Sequence, residues 1–336
     1  MKAAIYTNYG PPDVVHVTDV EKPVPKDDEV LIKVRAASVN PLDWRLMKGK
    51  PSILRIFFGL RKPRLGRPGV DVAGEVEAVG SNVTQFKPGD EVFGSCRGAF
   101  AEYGCTPASR LVMKPGNVTF EQAASANVAG LTALQGLRDK GKIQPGSRVL
   151  INGAAGGVGT FAVQIAKTFG AHVTGVCSTR NLDLVRSIGA DEVIDYTQND
   201  FTTSNQRYDF ILDCVGNHSF SACRRVLNPD GRFVMVGAPH DPSVMDLLAP
   251  MIKAPLLSLF VSQKAVMFIA KSSQDDLTLL GELIATGKLK PIIGGRYSLS
   301  DAADAVRHVE EGHARGKVIV EITPAHGSDP QITQMQ

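Results

Sequence analysis

The stretch at residues 149–159, Val-Leu-Ile-Asn-Gly-Ala-Ala-Gly-Gly-Val-Gly, limits this chain more than any other. An apolar run ends in a turn of small residues, and a helix-like segment follows. In such a unit the first N–H groups of the helix have no intrahelical partner, and the positive dipole end points the same way. The turn is therefore a phosphate site made of backbone. Against the dinucleotide fingerprint G-x-G-x-x-G, the chain reads Ala154-Ala155-Gly156-Gly157-Val158-Gly159. Ala154 replaces the first glycine. Gly156 allows close approach of a pyrophosphate, and Gly159 allows tight packing of helix on strand. Ala155, Gly156, Gly157 and Val158 are the expected contacts.

From residue 120 onward, helices and strands alternate. Helices are expected at 120–139, 158–169, 182–188 and 220–226, and strands at 148–152, 173–177, 192–195, 210–214 and 232–236. Alternation of this kind implies right-handed crossovers and a doubly wound parallel sheet. Residues 265–269 close that sheet or pair at its edge. The first third differs. Short β-branched runs at 2–7, 14–19, 29–37, 70–79, 91–93, 100–105 and 111–114 sit between Pro, Gly and Asp turns, which predicts a partly open β-barrel. Helices at 277–285 and 302–310 precede a last strand at 317–321, which rejoins the first unit. The expected organisation is 1–120 completed by 273–323, a dinucleotide-binding domain at 121–272, and a disordered polar tail at 324–336. Residues 51–69 carry Arg55, Arg61, Lys62, Arg64 and Arg67 around Phe57 and Phe58. They read either as a solvated loop or as a lid near a substrate or phosphate.

Length and charge narrow the classes. The 336 residues suffice for two cores. A net charge of +3 gives no electrostatic reason to expect nucleic acid or a membrane as partner. No apolar run approaches the roughly 20 residues that span a bilayer, and the N-terminus runs into a strand without a signal peptide. Five cysteines without CxxC spacing read as reduced thiols of a cytoplasmic protein.

The strand after the phosphate turn ends at Cys177-Ser178-Thr179-Arg180. A carboxylate at this place grips the ribose hydroxyls of NAD and repels a 2′-phosphate. Here the position is neutral Cys177, and Ser178, Thr179 and Arg180 supply donors for a phosphate through charge-assisted hydrogen bonds. That favours NADPH. The alternative is a helix cap at Ser178 and a solvated Arg180. Tyr196 reads as a contact to the same phosphate or as a surface tyrosine.

Several further motifs accompany the turn: Ala37-Ser38-Val39-Asn40-Pro41-Leu42-Asp43, Gly69-Val70-Asp71-Val72-Ala73-Gly74, Gly98-Ala99-Phe100-Ala101-Glu102-Tyr103, Gly130-Leu131-Thr132-Ala133, Asp213-Cys214-Val215-Gly216 and Gly312-His313-Ala314-Arg315-Gly316-Lys317. With them the chain resembles the medium-chain dehydrogenase/reductase superfamily over nearly its whole length. The closer likeness is to the zinc-independent quinone oxidoreductase branch. The resemblance implies an α/β protein: a Rossmann doubly wound parallel sheet plus a GroES-like partly open β-barrel domain, assembled as a homodimer. In the zinc alcohol dehydrogenases a Cys stands where this chain has Asn40, and a His-Glu pair where it has Val70-Asp71. Catalytic zinc needs about three converging ligands, and the structural zinc lobe needs four cysteines. Only Cys96 and Cys105 lie in the corresponding stretch, so no zinc is expected. Without a Lewis acid an alkoxide is unsupported. The expected reaction is hydride transfer from NADPH to a small-molecule electron acceptor, a quinone or an α,β-unsaturated carbonyl.

The resemblance also places residues. Asn40 is expected at the nicotinamide and substrate end as an amide donor, or else as a turn residue before Pro41. Asp43 and Trp44 line the pocket mouth, unless the tryptophan is buried in the β domain. Thr132 faces the nicotinamide or packs its helix. Cys214, Val215, Val236, Gly237 and Ala238 follow later strands at their carboxyl ends. Arg315 and Lys317 fold over the cofactor or form a basic turn. No general acid is evident. Two other functions stay open: an enoyl-thioester (enoyl-CoA/ACP) reductase, and a cofactor-binding interaction protein with little turnover. The apolar run 256–261 reads as a subunit-pairing edge or as a pocket wall.

Overall fold

A computed structural model describes residues 1–64, 66–239 and 261–322. The run 256–261, but for Val261, and the tail 324–336 lie outside the described residues. The β-rich third contains β1 (Lys2–Ile5), β2 (His16–Asp19), β3 (Glu29–Val39), then α1 (Pro41–Lys48) and α2 (Leu54–Phe58), then β4 (Asp71–Val79), β5 (Glu91–Ser95), β6 (Tyr103–Pro107) and β7 (Leu111–Met113). The long helix α3 (Phe120–Gln135), continued by a π-helical turn at Gly136–Gly141, leads into the alternating part. There follow β8 (Arg148–Asn152), α4 (Gly157–Thr168), β9 (His172–Cys177), α5 (Leu182–Ser187), β10 (Glu192–Asp195), β11 (Tyr208–Asp213), α6 (Phe220–Cys223), β12 (Leu227–Met235) and β13 (Lys264–Met267). The chain then runs through α7 (Gln274–Ala285), β14 (Ile293–Ser298), α8 (Ala302–Glu310) and β15 (Lys317–Glu321).

Six strands form one parallel sheet in the order β10-β9-β8-β11-β12-β13. Its inner strands β8, β9 and β11 are covered on both faces, which is why they read as continuous apolar runs. The order reverses between β8 and β11, and a crevice opens at their carboxyl ends. The second sheet runs β14-β15-β3-β4-β5-β7, with β6 also paired to β3. Its last strand in sequence, β15, lies antiparallel to β3 with Val318 opposite Val39. That register brings residue 317 beside residue 40. Helix α3 is buried along most of its length and packs on both units, against β3, β4 and β5 on one side and α4 on the other.

Three elements go beyond what the sequence predicts. β14 carries Gly294-Gly295, which breaks a strand pattern, yet a Cβ on Gly294 would lie 1.8 Å from the Arg315 carbonyl. Glycine is needed there for the two chains to lie so close. Helix α2 falls inside the segment that reads as loop or lid. Helix α1 begins with Pro at its first position and ends at Gly49, which is left-handed at φ 59°. Both are ordinary helix signals.

The start of α1 depends on Asp43. The side chain is buried, and its two carboxylate oxygens accept from the Asn40 N–H at 2.8 Å and the Gly69 N–H at 2.9 Å. It therefore ties the first turn of α1 to the approach of β4, and it does not line a pocket mouth as expected. Burial pushes its pKa up from 3.8 to about 6, against the two N–H bonds. The native state thus binds the proton more tightly than the unfolded chain. Stability from this group is complete below pH 4 and declines as pH rises to 6. Measured by urea denaturation, the stability of the protein relative to its Asp43→Asn variant will fall by roughly 2–3 kcal/mol between those limits and stay level above them. A difference that is flat across that range removes Asp43 as the titrating group.

Candidate active site

A cleft of about 470 Å³ lies between the two units, at the carboxyl ends of β8, β9 and β11. Its floor is the glycine turn. The first backbone bond of α4 runs from the Thr160 N–H to the Gly156 carbonyl at 3.0 Å. The N–H groups of Val158 and Gly159 precede it and stay available, while that of Gly157 faces the Gly316 carbonyl in the bridge between Gly156 and Gly316. A Cβ on Gly156 would meet nothing closer than 3.4 Å, so this face is open toward the cleft. A Cβ on Gly159 would lie 2.1 Å from the Gly153 carbonyl oxygen, so tight packing requires glycine there. Backbone donors, an open face and a helix N-terminus fit a pyrophosphate.

One end of the cleft is lined by Cys177, Ser178, Arg180, Asn181, Tyr196 and His313. Asn181 donates its amide to Ser178 Oγ at 3.1 Å, which leaves the serine hydrogen free to donate. The buried Asn181 Oδ1 has no partner. Arg180 reaches the His313 carbonyl at 3.1 Å and is otherwise exposed. Thr179 does not line the cleft: its hydroxyl donates to Asp195 Oδ2 at 2.5 Å. Asp195, which sits opposite Cys177 in the β9–β10 pairing, carries no mark in the sequence. Its other oxygen is taken by the Thr197 N–H and hydroxyl, and the residue stays out of the cleft wall. Burial lifts the Cys177 thiol to about 11, so at neutral pH it is an uncharged wall.

At the other end, β3, β4, α3 and β15 bring a buried polar cluster together. Lys317 Nζ donates to Asn40 Oδ1 at 2.7 Å and to the Val39 carbonyl at 3.2 Å, and lies 3.3 Å from Asp71 Oδ2. Asn40 Nδ2 donates to that same Asp71 oxygen at 2.9 Å. Ser38 Oγ adds a 2.6 Å bond to it, while Asn127 Nδ2 and the Val128 N–H bind Asp71 Oδ1. Asp71 is wholly buried and Lys317 is 3% exposed. The Asn40 amide, expected as a donor to substrate, is thus committed at both ends. It forms the cleft wall in one fixed orientation beside Val39, Pro41, Trp44 and Val318.

Between the two ends, Cys214 and Val215 line the cleft and Asp213 holds them. Asp213 Oδ1 accepts from the N–H groups of Val215 and Gly216 and from Asn152 Nδ2. Its other oxygen is buried without a partner, and burial raises its pKa. Asn152 also donates to Asn217. The segment 312–317 crosses the cleft lengthwise. The Gly316 N–H donates to the Ala155 carbonyl at 2.8 Å, and the Lys317 stem lies along Gly157.

Of the expected contacts, the structure therefore gathers Asn40, Trp44, Ala155, Gly156, Gly157, Val158, Ser178, Arg180, Tyr196, Cys214, Val215 and Lys317. The others stand elsewhere. The Thr132 hydroxyl donates back to the Val128 carbonyl at 2.7 Å within α3. Val236 and Gly237 lie behind Cys214, bonded to the Asp213 carbonyl. Ala238 presents its carbonyl to Arg45, and Arg315 does not line the cleft. Arg45 itself escapes sequence reasoning. It spans from α1 to the carbonyls of Ala238 and Pro239 at 2.9 and 3.0 Å, and so clamps one unit to the other. A basic residue in a helix carries no sequence signal for such a partner. Asn127 is likewise unmarked, although its helix is recognisable. Among the described residues, no three His, Cys, Asp or Glu side chains converge on one point.

Comparison with known proteins agrees with this architecture. Residues 26–116 match the alcohol dehydrogenase GroES-like domain family, and residues 188–320 match the zinc-binding dehydrogenase family. The chain is 37% identical to a chloroplastic quinone oxidoreductase of Triphysaria versicolor, across 96% of this chain and 98% of the relative. It is 35% identical to the chloroplastic NADPH-dependent alkenal/one oxidoreductase of Arabidopsis thaliana, across 95% and 79%. The solved quinone oxidoreductase of Coxiella burnetii superposes with a TM-score of 0.85 at 31% identity, across 96% and 99%. The chloroplastic names of these relatives lend no support to the cytoplasmic assignment. A parallel six-stranded sheet, a GroES-like unit and full-length similarity together establish that this chain belongs to the medium-chain dehydrogenase/reductase superfamily, in its quinone oxidoreductase-like branch.

Proposed function

We propose that this protein is an NADPH-dependent, zinc-independent oxidoreductase that reduces a quinone or an α,β-unsaturated carbonyl, and that it works as a homodimer. One observation carries the reading. The same cleft has a cationic, donor-rich end at Ser178 and Arg180 and an opposite end whose buried cation is an ammonium, Lys317. When bound, the cofactor supplies hydride. The protein holds its pyrophosphate on the N–H groups of Val158 and Gly159. Ser178 and Arg180 take the additional phosphate, with Ser178 oriented by Asn181. At the far end, two of the positions that match metal ligands in the zinc enzymes, Asn40 and Asp71, are closed into one set by Lys317. Acceptors that a metal would use are already satisfied by this ammonium. A cleft wall so fixed positions a flat, electron-poor acceptor and excludes water, which is what conjugate reduction requires. The names of the relatives, quinone oxidoreductase and alkenal/one oxidoreductase, support the same class of acceptor.

Steady-state oxidation of NADPH with quinones, 2-alkenals and enoyl-CoA esters tests the reaction. Turnover is expected with the first two classes. Tight cofactor binding without turnover on any of them refutes the enzyme assignment. Light scattering should give twice 35.9 kDa. Arg180→Ala is expected to raise KM for NADPH about 10- to 100-fold, the range for a hydrogen bond to a charged group, with NADH kinetics unchanged. Equal losses with both cofactors overturn the assignment of Arg180 to the phosphate. Lys317→Met leaves Asp71 buried without its cation and should cost about 3–5 kcal/mol in urea denaturation. Adding Asp71→Asn should recover at least half of that loss, and a double variant no more stable than the single one removes charge balance as the cause.

A further inference from the structure

Charge is distributed very unevenly along this chain. Residues 44–70 hold eight of the 37 basic residues and none of the 34 acidic ones. Without that stretch the chain would be net acidic, so the small total charge conceals a local excess. Five of the eight are exposed, and Lys50 apart these are Arg61, Lys62, Arg64 and Arg67. Among the described residues, no carboxylate pairs with any of these four. In the same segment Ile56, Phe57 and Leu60 are 61%, 71% and 71% exposed. Three large apolar side chains surrounded by unpaired cations form the kind of surface that marks an interaction site.

The exposure has a framework beneath it. Tyr9 donates its hydroxyl to the Gly59 carbonyl at 2.6 Å. Arg55 turns inward, stacks on the Tyr9 ring and donates to the carbonyls of Gly49 and Lys48. The Arg64 N–H closes on the Phe58 carbonyl at 2.8 Å, and the Tyr6 N–H holds the Gly66 carbonyl at 2.7 Å. The backbone of the segment is thus tied to the β1 side of the molecule, while its apolar side chains point away from it. The segment also continues α1, whose first residues line the acceptor end of the cleft. That helix spans about 12 Å along its axis from the cleft to Gly49, where the chain turns toward the segment.

We propose that residues 55–64 with Arg67 are a docking surface for an anionic lipid bilayer, with Ile56, Phe57 and Leu60 entering the headgroup boundary and Arg61, Lys62, Arg64 and Arg67 meeting the lipid phosphates. Apolar side chains inside a basic ring suit such a boundary, where both terms act together. An acidic protein would satisfy the cations but leave the exposed aromatic and aliphatic tips in water. Such docking departs from the expectation of no membrane partner, which rested on whole-chain charge giving no electrostatic reason for one. Docking does not depend on which acceptor the enzyme reduces.

The test is sedimentation of the full chain with phosphatidylcholine vesicles, with and without phosphatidylglycerol. Binding is expected only with the anionic lipid and should weaken steeply with salt. The Arg61→Ser/Lys62→Ser/Arg64→Ser variant should bind about 100-fold more weakly, because three basic side chains no longer meet the anionic surface. Phe57→Ser/Leu60→Ser should weaken binding while keeping its salt dependence. Both variants should oxidise NADPH with a water-soluble acceptor as the parent does, which separates failure of docking from failure of the enzymatic reading. Equal binding to neutral vesicles, or unchanged binding by the triple variant, overturns the proposal. So does a change of oligomeric mass in place of vesicle binding, which makes the patch a subunit contact, or retention of an acidic carrier protein without vesicle binding.

Discussion

The pairing of β15 with β3 is the constraint on which the site rests. It sets Val318 opposite Val39 and so delivers the Lys317 ammonium to Asn40 and Asp71. Both charges are removed from water, and each would be costly alone. Hydrogen bonds from Ser38, Asn127 and the Val128 N–H complete the carboxylate's shell. One residue earlier, Gly316 bonds to Ala155 in the phosphate turn. The same short segment therefore binds the floor of one unit and the polar centre of the other. The cleft keeps its shape because these two attachments are adjacent in sequence.

The two ends of the cleft are built on different principles. The end that we assign to the cofactor phosphates uses backbone: free N–H groups, an open glycine face and a helix terminus. Side chains there are few and partly exposed, and Asn181 and His313 position them. The acceptor end uses buried side chains with every strong donor spoken for, so its contribution is shape and fixed charge. This division matches a reaction in which the protein binds a polar cofactor tightly and handles a flat, weakly polar acceptor by geometry.

Legibility in the sequence follows the range of the interaction. The β8–turn–α4 unit and the parallel strands are readable because period and turn chemistry are local. The polar end at Ser178 and Arg180 is readable because it lies a fixed distance beyond the turn. Helix α1 carries Pro at its first position and Gly at its end, yet its opening residues also read as a site motif, and that reading hides the helix start. Thr179 looks like a phosphate donor because nothing local reveals Asp195 one strand away. Asn40 looks like a substrate donor because its partner Lys317 is 277 residues distant. Arg45 reaches carbonyls 193 residues on, and no pattern of residue types announces that contact.

The late position of β15 also governs assembly. The sheet of β3 and β4 lacks an inner strand, and Asp71 lacks its counter-charge, until the chain has been made through β15, 277 residues beyond Asn40 at Lys317. A chain still emerging from the ribosome can complete the parallel sheet, which is contiguous in sequence, well before it can seal the earlier barrel. Of the two units, the one begun earlier is thus finished later, and until β15 emerges it holds an open stretch of β3 at Ala36–Val39 that β15 is shaped to close.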